Sequence, residues 1–507
     1  MVGVNHALAF EKARLLLAQA DGVAAAACFV GQGDVLQTAV HRPGADAFTP
    51  EAPPWFRIGS LTKTLVAFAA LHHATLTGHD PDADIGGELS HLVGGSFGGP
   101  VSLIALLSHT AGLHNCSVLD EPGPVIASAT ALRYDRARGV FSYSNAGYGL
   151  VGEWLSHRTG LDFSEWLDIH ALRVLGQPAI ALRPAPDAPS VAGHVMDPRL
   201  GARTAITLPF DGGRLAPAGY LWATASGLGD LLRALLRPPD AVAASVVSRM
   251  TKAASPVFGP QDVAAGAGLF VMRRGGRRIA FNEGEIGGFR SRIELDLDAG
   301  TGLAEMAAYS GAENGATGSI LGGIGAVRPP DRSRRPAPRI LSPAAGATYV
   351  APELGVFQCE DPRTMHGARL NGVAATLEPA GPDLWRGSTE EGRMLTVRRN
   401  SGHGGDSLTI NGILAPASRL RPRARPFDAR WLGRYRNGYW IDIAEVEGED
   451  GVVRVSSNYG GIGGHAVVIG ANVLATDMGL AVFGGPVTRA RLRLLGTAIF
   501  RRPSRTD

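Results

Sequence analysis

"FRIGSLTKTLVAFAALHH", Phe56 to His73, is the stretch on which the reading of this chain turns. Continued to Gly78, it reads as one helix ended by that glycine. If Ser60 stands at the helix start, its hydroxyl and the Lys63 ammonium lie on one face a single turn apart and can share a hydrogen bond. A helix N-terminus offers backbone N–H groups and partial positive charge, which lowers the cost of an oxyanion beside Ser60. Serine is a weak nucleophile, and a lysine kept neutral by burial or by a cationic neighbour can take its proton. Arginine stays protonated and cannot serve as that base. Of the 49 basic side chains only Lys12, Lys63 and Lys252 are lysines, so a lysine three residues after a serine stands out from its background.

The rest of the composition sets bounds. At 507 residues the chain is expected to divide into roughly two to four domains. Its 45% hydrophobic and 19% charged residues describe a soluble globular protein. The net charge of +3 comes from arginines clustered in a few segments, which gives no general nucleic-acid surface. Cys28, Cys116 and Cys359 lie far apart without a CxxC pattern, against a disulfide framework or a zinc site and in favour of buried thiols. The N-terminal residues are amphipathic, with Glu11 and Lys12 interrupting the apolar run, so no signal peptide is expected. No apolar stretch is long enough to span a membrane, and the expected compartment is the cytoplasm.

Two arginine- and proline-rich runs, "VRPPDRSRRPAPR" (Val327–Arg339) and "SRLRPRARP" (Ser418–Pro426), read as extended linkers. They divide the chain into residues 1–330, 338–417 and 426–507. In the first part, "AAAACFVGQGDVLQTAV" reads as two strands around a turn. "GAGLFVMRR", "RRIAFNEG", "SRIELDL" and "LAEMAAYSG" read as a closing antiparallel meander. This part is expected to be an α+β domain with helices packed on an antiparallel sheet. The other two parts carry short strands with turn signals, and each opens alike, "ELGVF" at Glu353–Phe357 and "WLGRY" at Trp431–Tyr435. Two related small antiparallel β-barrels are expected.

Two more segments bear on Ser60 and Lys63. "LIALLSHTAGL" follows the helix, and "VFSYSNAGYGLVGEWL" places Tyr143, Ser144 and Asn145 in a turn before another apolar helix. Tyr-x-Asn supplies a phenol that can shuttle a proton and an amide that can bind a carbonyl or anchor the lysine. In this order, Ser-x-x-Lys, LLSHTAGL and Tyr-Ser-Asn closely resemble the penicillin-recognising serine hydrolases, which hold class C β-lactamases, D,D-peptidases, related esterases and D-aminopeptidases. A catalytic domain followed by two small barrels resembles the bacterial D-aminopeptidases over essentially the whole chain. "WATASGLGDLLRAL" and "DARWLGRYRN" agree with that layout. The resemblance implies acylation of Ser60 and hydrolysis of N-terminal D-residues from peptides, amides or esters. It gives Lys63 the role of activating Ser60, Tyr143 that of relaying the proton to the leaving amine, and Asn145 that of orienting the substrate amide. It implies no cofactor and no metal, small D-amino-acid peptides or amides as partners, and β-lactams as inhibitors; a homodimer is compatible with it.

The third family motif, His-x-Gly or Lys-Thr-Gly, falls on Asn282-Glu283-Gly284 in "AFNEGEIGGFRSRIELD". Asn282 keeps a hydrogen-bond donor without a charge, and is expected on the substrate side of the site. The backbone N–H of Glu285 is expected to face Ser60 as an oxyanion donor. Glu283 and Glu285, if turned inward, suit a substrate ammonium better than a carboxylate. D-aminopeptidases place an acid from their last domain near that ammonium, and in "NVLATDMGLAVFGGPVTR" the candidate is Asp477, several residues before the family's position, where Phe483 falls. Asp477 shaping a turn is the competing reading. His72, His73, His109 and His114 have no metal-ligand spacing, and His109 belongs to the LLSHTAGL turn. An esterase or D-amino-acid amidase of the same fold, and a binding protein without turnover, stay open as alternatives.

Overall fold

The structure is a computed structural model. It describes residues 5–17, 23–34, 36–41, 53–93, 99–113, 139, 141–197, 202–206, 213–258, 263–310, 341–342, 345–351, 354–390, 394–400, 407–411, 413–418, 428–436, 444–449, 452–457, 463–470, 472–476, 479–484, 491–494 and 497–501. Asp477, Cys116 and His114 lie outside the described residues, as do the expected linkers at 327–339 and 419–426.

In chain order the first domain's strands are β1 (Ala25–Val30), β2 (Leu36–His41), β3 (Phe56–Arg57), β4 (Ile180–Ala181), β5 (Gly193–Asp197), β6 (Ala202–Ile206) and β7 (Trp222–Ala223). They continue with β8 (Ser255–Phe258), β9 (Val263–Ala265), β10 (Phe270–Arg274), β11 (Arg277–Ile286), β12 (Phe289–Asp296), β13 (Thr301–Ala307) and β14 (Tyr309–Ser310). Among the described residues the main sheet is antiparallel in the order β2-β1-β13-β12-β11-β10-β9-β8. The expected strand pair at 24–40 is β1 and β2, and the expected meander is β10 to β13. Its principal helices are α1 (His6–Leu17), α2 (Thr62–Thr77), α3 (Gly86–Val93), α4 (Leu103–Leu107), α5 (Asn145–Thr159), α6 (Ala225–Leu236) and α7 (Ala241–Met250).

Strand alternation explains why β1 is buried throughout. Ala26, Cys28 and Val30 enter the main core, whereas Ala25, Ala27 and Phe29 pack under Phe10, Ala13 and Leu17 of α1. Helix α2 runs through the main core with every side chain from Thr62 to Ala74 buried, as an all-round apolar helix must. Gly78, at φ 66°, ends it in the left-handed conformation that glycine adopts without steric cost.

Strands β15 (Ala347–Ala351) to β22 (Ile413–Pro416) pair in sequence, and Ser418 N–H donates to Thr348 O beside the Tyr349–Ala417 bridge, so the last strand returns to the first.

 The Ser418–Thr348 hydrogen bond measures 2.7 Å, and the sheet is a nearly closed barrel. Strands β23 (Gly433–Arg436) to β30 (Thr497–Arg501) form a closed barrel. The two barrels meet through Leu341, Val356, Val467 and Ala475. Asn371, fully buried, donates its amide to Leu354 O at 3.0 Å in its own barrel and to Thr476 O at 2.8 Å in the other. No helix among the described residues is long and apolar enough to cross a membrane.

Candidate active site

Ser60 lies in the 3₁₀ turn Gly59–Leu61, which runs directly into α2 at Thr62. The turn is held from three sides. Ile58 N–H donates to Leu221 O at 3.0 Å, Leu221 N–H donates to Thr62 Oγ1 at 3.2 Å, and Ser291 Oγ donates to Ile58 O at 2.7 Å. One turn on, Lys63 is 2% exposed, and its Nζ lies 2.9 Å from Ser60 Oγ and donates to Asn145 Oδ1 at 2.7 Å and Ala218 O at 2.5 Å. Burial holds the Lys63 ammonium well below the ordinary lysine pKa. The amide and peptide oxygens can only accept, so a neutral Lys63 gives its two N–H groups to them and keeps its lone pair for the Ser60 hydroxyl.

The second hydrogen-bond partner of Ser60 Oγ is Tyr143, whose hydroxyl lies 2.7 Å away. Burial pushes the phenol up to about 12, partly offset by the bond to Ser60, so Tyr143 keeps its proton at neutral pH. Tyr143 and Asn145 are placed by the end of their own segment. Ser144 caps α5 by accepting from Gly147 N–H at 3.1 Å, and its own N–H donates to His109 Nδ1 at 3.0 Å. His109, at φ 59°, packs against the Tyr143 ring with centroids 4.3 Å apart and the ring planes tilted by 32°. Burial, the Lys63 charge and, in opposition, the Ser144 hydrogen bond leave its pKa well below the histidine norm. Because Nδ1 accepts, the neutral ring carries its proton on Nε2.

On the other side of Ser60 is β11. Its hairpin to β12 turns at Gly287-Gly288, both at positive φ (46° and 83°), with Ile286 opposite Phe289. With that pair closing a two-residue I′ turn, the next pair, Glu285 and Arg290, is non-hydrogen-bonded, and the Glu285 N–H points away from β12. It points to the nucleophile turn: a Cβ on Gly59 would lie 2.6 Å from Glu285 N, and one on Gly284 would lie 2.9 Å from Ser60 N. The approach needs glycine at both places, and Gly59 also has φ 51°. It brings the Ser60 and Glu285 N–H groups together as a pair of donors for an oxyanion.

Strand alternation separates the remaining residues of this motif. Asn282 and Gly284 are buried toward the helices, whereas Glu285 is exposed on the face it shares with Glu283, Arg290 and Arg292. Glu283 forms an ion pair with Arg292. Asn282 donates toward Ser60 O at 3.2 Å, Thr64 Oγ1 at 3.0 Å and Gly268 O at 3.2 Å, and accepts from Glu283 N–H at 2.8 Å. The structure therefore gathers Ser60, Lys63, Tyr143, Asn145, Asn282 and the Glu285 main chain. Asp477, expected at the ammonium site, lies outside the described residues.

Two contributors carried no sequence signal: the Ala218 carbonyl, a main-chain group, and the Thr64 hydroxyl. His109 was legible only as part of a turn. Among the described residues no group of three or more His, Cys, Asp or Glu side chains is arranged to hold a metal ion. His72 and His73 instead pack against His170, with His72 Nδ1 3.3 Å from His170 Nδ1.

The family model described as "Beta-lactamase" matches residues 13–318. No curated protein matches the sequence. Among solved structures, SurE is 22% identical, with 80% of this chain and 98% of that chain covered and a TM-score of 0.61. The octameric penicillin-binding protein homologue from Pyrococcus abyssi is 16% identical, with 82% and 100% covered and a TM-score of 0.54. A class C β-lactamase from Rhodobacter sphaeroides is 18% identical, with 60% and 93% covered and a TM-score of 0.50.

Proposed function

The chain belongs to the β-lactamase family of serine hydrolases, and on that premise we propose that it is a serine aminopeptidase that removes N-terminal D-amino acids from small peptides, amides or esters. The observation that carries the reading is the arrangement around Lys63. Two pure acceptors fix its N–H groups, burial disfavours its charge, and the lone pair falls on the nucleophile.

Acylation follows from these positions. Ser60 Oγ attacks the substrate carbonyl carbon as its proton passes to Lys63 Nζ, and the oxyanion forms between the Ser60 and Glu285 N–H groups. The C–N bond then breaks. The Tyr143 hydroxyl gives its proton to the departing amine and is reprotonated from Lys63, which returns Lys63 to the neutral amine. Water adds to the acyl-enzyme by the same steps in reverse, with Lys63 and Tyr143 taking the water proton and returning one to Ser60 Oγ. The products are the free D-amino acid and the shortened peptide or amine.

Support for an ammonium-bearing substrate is electrostatic. The uncharged Asn282 stands where the resemblance puts a cation, which removes a charge that would favour a substrate carboxylate; Glu283 and Glu285 add nothing to this, since they lie on the opposite face of the strand, Glu283 paired with Arg292. The test is turnover of D-alanine p-nitroanilide, L-alanine p-nitroanilide and p-nitrophenyl acetate by the wild type and Ser60→Ala. D-Leucine p-nitroanilide is added because one SurE structure was solved with D-Leu. Cleavage of the D-anilides in preference to the L-anilide, abolished in Ser60→Ala, is expected. Untouched D-anilides beside a cleaved ester would refute the aminopeptidase reading in favour of an esterase.

A further inference from the structure

Asn282 has a side chain with two N–H donors and one oxygen, and its surroundings use all of them. The amide nitrogen faces three acceptors, Ser60 O, Thr64 Oγ1 and Gly268 O, and the oxygen takes the Glu283 N–H. Thr64 Oγ1 spends its own proton on Gly268 O at 2.8 Å, so it meets Asn282 as an acceptor. The side chain is buried, 4% exposed, on the helix side of β11. Nothing in this arrangement is left to donate to a substrate carboxylate.

The bonds have a direction. Asn282 ties β11 to the carbonyl of the nucleophile itself, and three residues along the same strand the Glu285 N–H completes the donor pair. Ser291 on β12 makes a second tie, to Ile58 just before the turn. Two ties therefore bracket the closest approach of Gly59 and Glu285. We propose that Asn282 is a positioning residue, which sets Ser60 against the Glu285 amide and takes no part in substrate recognition. The inference rests on Ser60 being the nucleophile.

The test is the rate of covalent labelling of Ser60 by a fluorophosphonate, followed by intact mass, together with kcat and KM for D-alanine p-nitroanilide. Asn282→Ala is expected to label at full stoichiometry but roughly 10- to 100-fold more slowly, the range a small misplacement of reacting groups produces. KM should stay within about twofold, since no substrate contact is lost. A role in folding alone would lower the labelled fraction and leave its rate unchanged, which would overturn the proposal. So would a rise in KM with kcat intact, as expected of a substrate contact. Thr64→Val removes one acceptor of the same amide and should slow labelling in the same direction; its combination with Asn282→Ala should be non-additive. If Asn282→Ala fails to fold, an unslowed Thr64→Val overturns the proposal by itself. Failure to label wild-type Ser60 would bring down the nucleophile assignment too, whereas normal labelling of the wild type with unslowed variants would bring down this inference alone.

Discussion

Replacing Asn145 with aspartate tests the protonation logic of the site with almost no change of shape. Asn145 Oδ1 lies 2.7 Å from Lys63 Nζ, and at an effective dielectric of about 20 a full charge there attracts the ammonium by about 6 kcal/mol. Burying the new carboxylate takes back several kcal/mol, which leaves roughly 3 kcal/mol, or about two pH units, in favour of protonated Lys63. Among the described residues, the titratable groups that line the cavity at Lys63 are Tyr143, Tyr148 and His109. Of these, His109 is held neutral and both phenols are raised by burial, so none compensates for the new charge. The base works only when neutral, so activity appears as pH rises through the Lys63 pKa. In Asn145→Asp the acid limb of kcat/KM should move up by about two pH units, with a loss near 100-fold at pH values below both limbs, recovered in alkali. Asn145→Ala should lose activity evenly across pH. An acid limb unmoved in Asn145→Asp would refute Lys63 as the general base.

Other consequences are as direct. Gly59→Ala puts a Cβ 2.6 Å from Glu285 N at φ 51°; a cost of about 1–2 kcal/mol from the backbone alone should appear in thermal melts, with Ser60 labelling by a fluorophosphonate nearly lost. Tyr143→Phe should keep KM and lower kcat for anilides by about 100-fold or more, with a smaller loss for esters whose leaving group needs no proton. At Glu294, burial pushes the carboxyl up, but the hydrogen bond from His6 and the charges of Arg292 and Arg274 outweigh it and hold the group well below the usual carboxylate range. Its contribution is therefore present above about pH 4 and lost as pH falls further, so Glu294→Gln should destabilise by about 2–4 kcal/mol near pH 7 and converge on the wild type in acid. Asn371→Ala leaves Leu354 O, Thr476 O and Val356 N–H without their amide partner; a loss of about 2–4 kcal/mol should show in calorimetry as an earlier melting of the paired barrels.

How far the sequence could be read depended on whether a function sits in a side chain's type or in its partners. That Ser60, Lys63 and Tyr143 belong together was legible because a hydroxyl, an amine and a phenol suited to nucleophile, base and proton relay are defined by chemistry, a lysine among arginines is conspicuous, and the structure brings the three into contact. Helix α2 and its Gly78 end, the β1–β2 pair and the meander followed from period and punctuation. The role of Asn282 was less open to reading. Residue type says that it can donate, but the acceptors come from α2, the Ser60 turn and the segment before β10, which only the fold brings together. Ala218 supplies a backbone oxygen that any residue would supply. The direction of the Glu283 and Glu285 side chains was also undecided until the register of β11 fixed which face each strand position takes.

The three lysines differ in their surroundings, and the difference bears on the base proposed for the reaction. Lys12 and Lys252 are exposed, where an ammonium is well solvated and stays charged. Lys63 sits on a helix whose first thirteen side chains are all buried, and a lone ammonium there would cost several kcal/mol that water no longer offsets. An arginine at this position would remain charged and bear that cost in every state. A lysine escapes it by giving up its proton, and Asn145 and Ala218 then satisfy the two N–H groups that remain. The apolar composition of α2, which looks like core and nothing more, is therefore what favours the unprotonated amine that the proposed reaction needs beside Ser60. A polar group introduced beside Lys63 on that helix should weaken the base even where it leaves the fold intact.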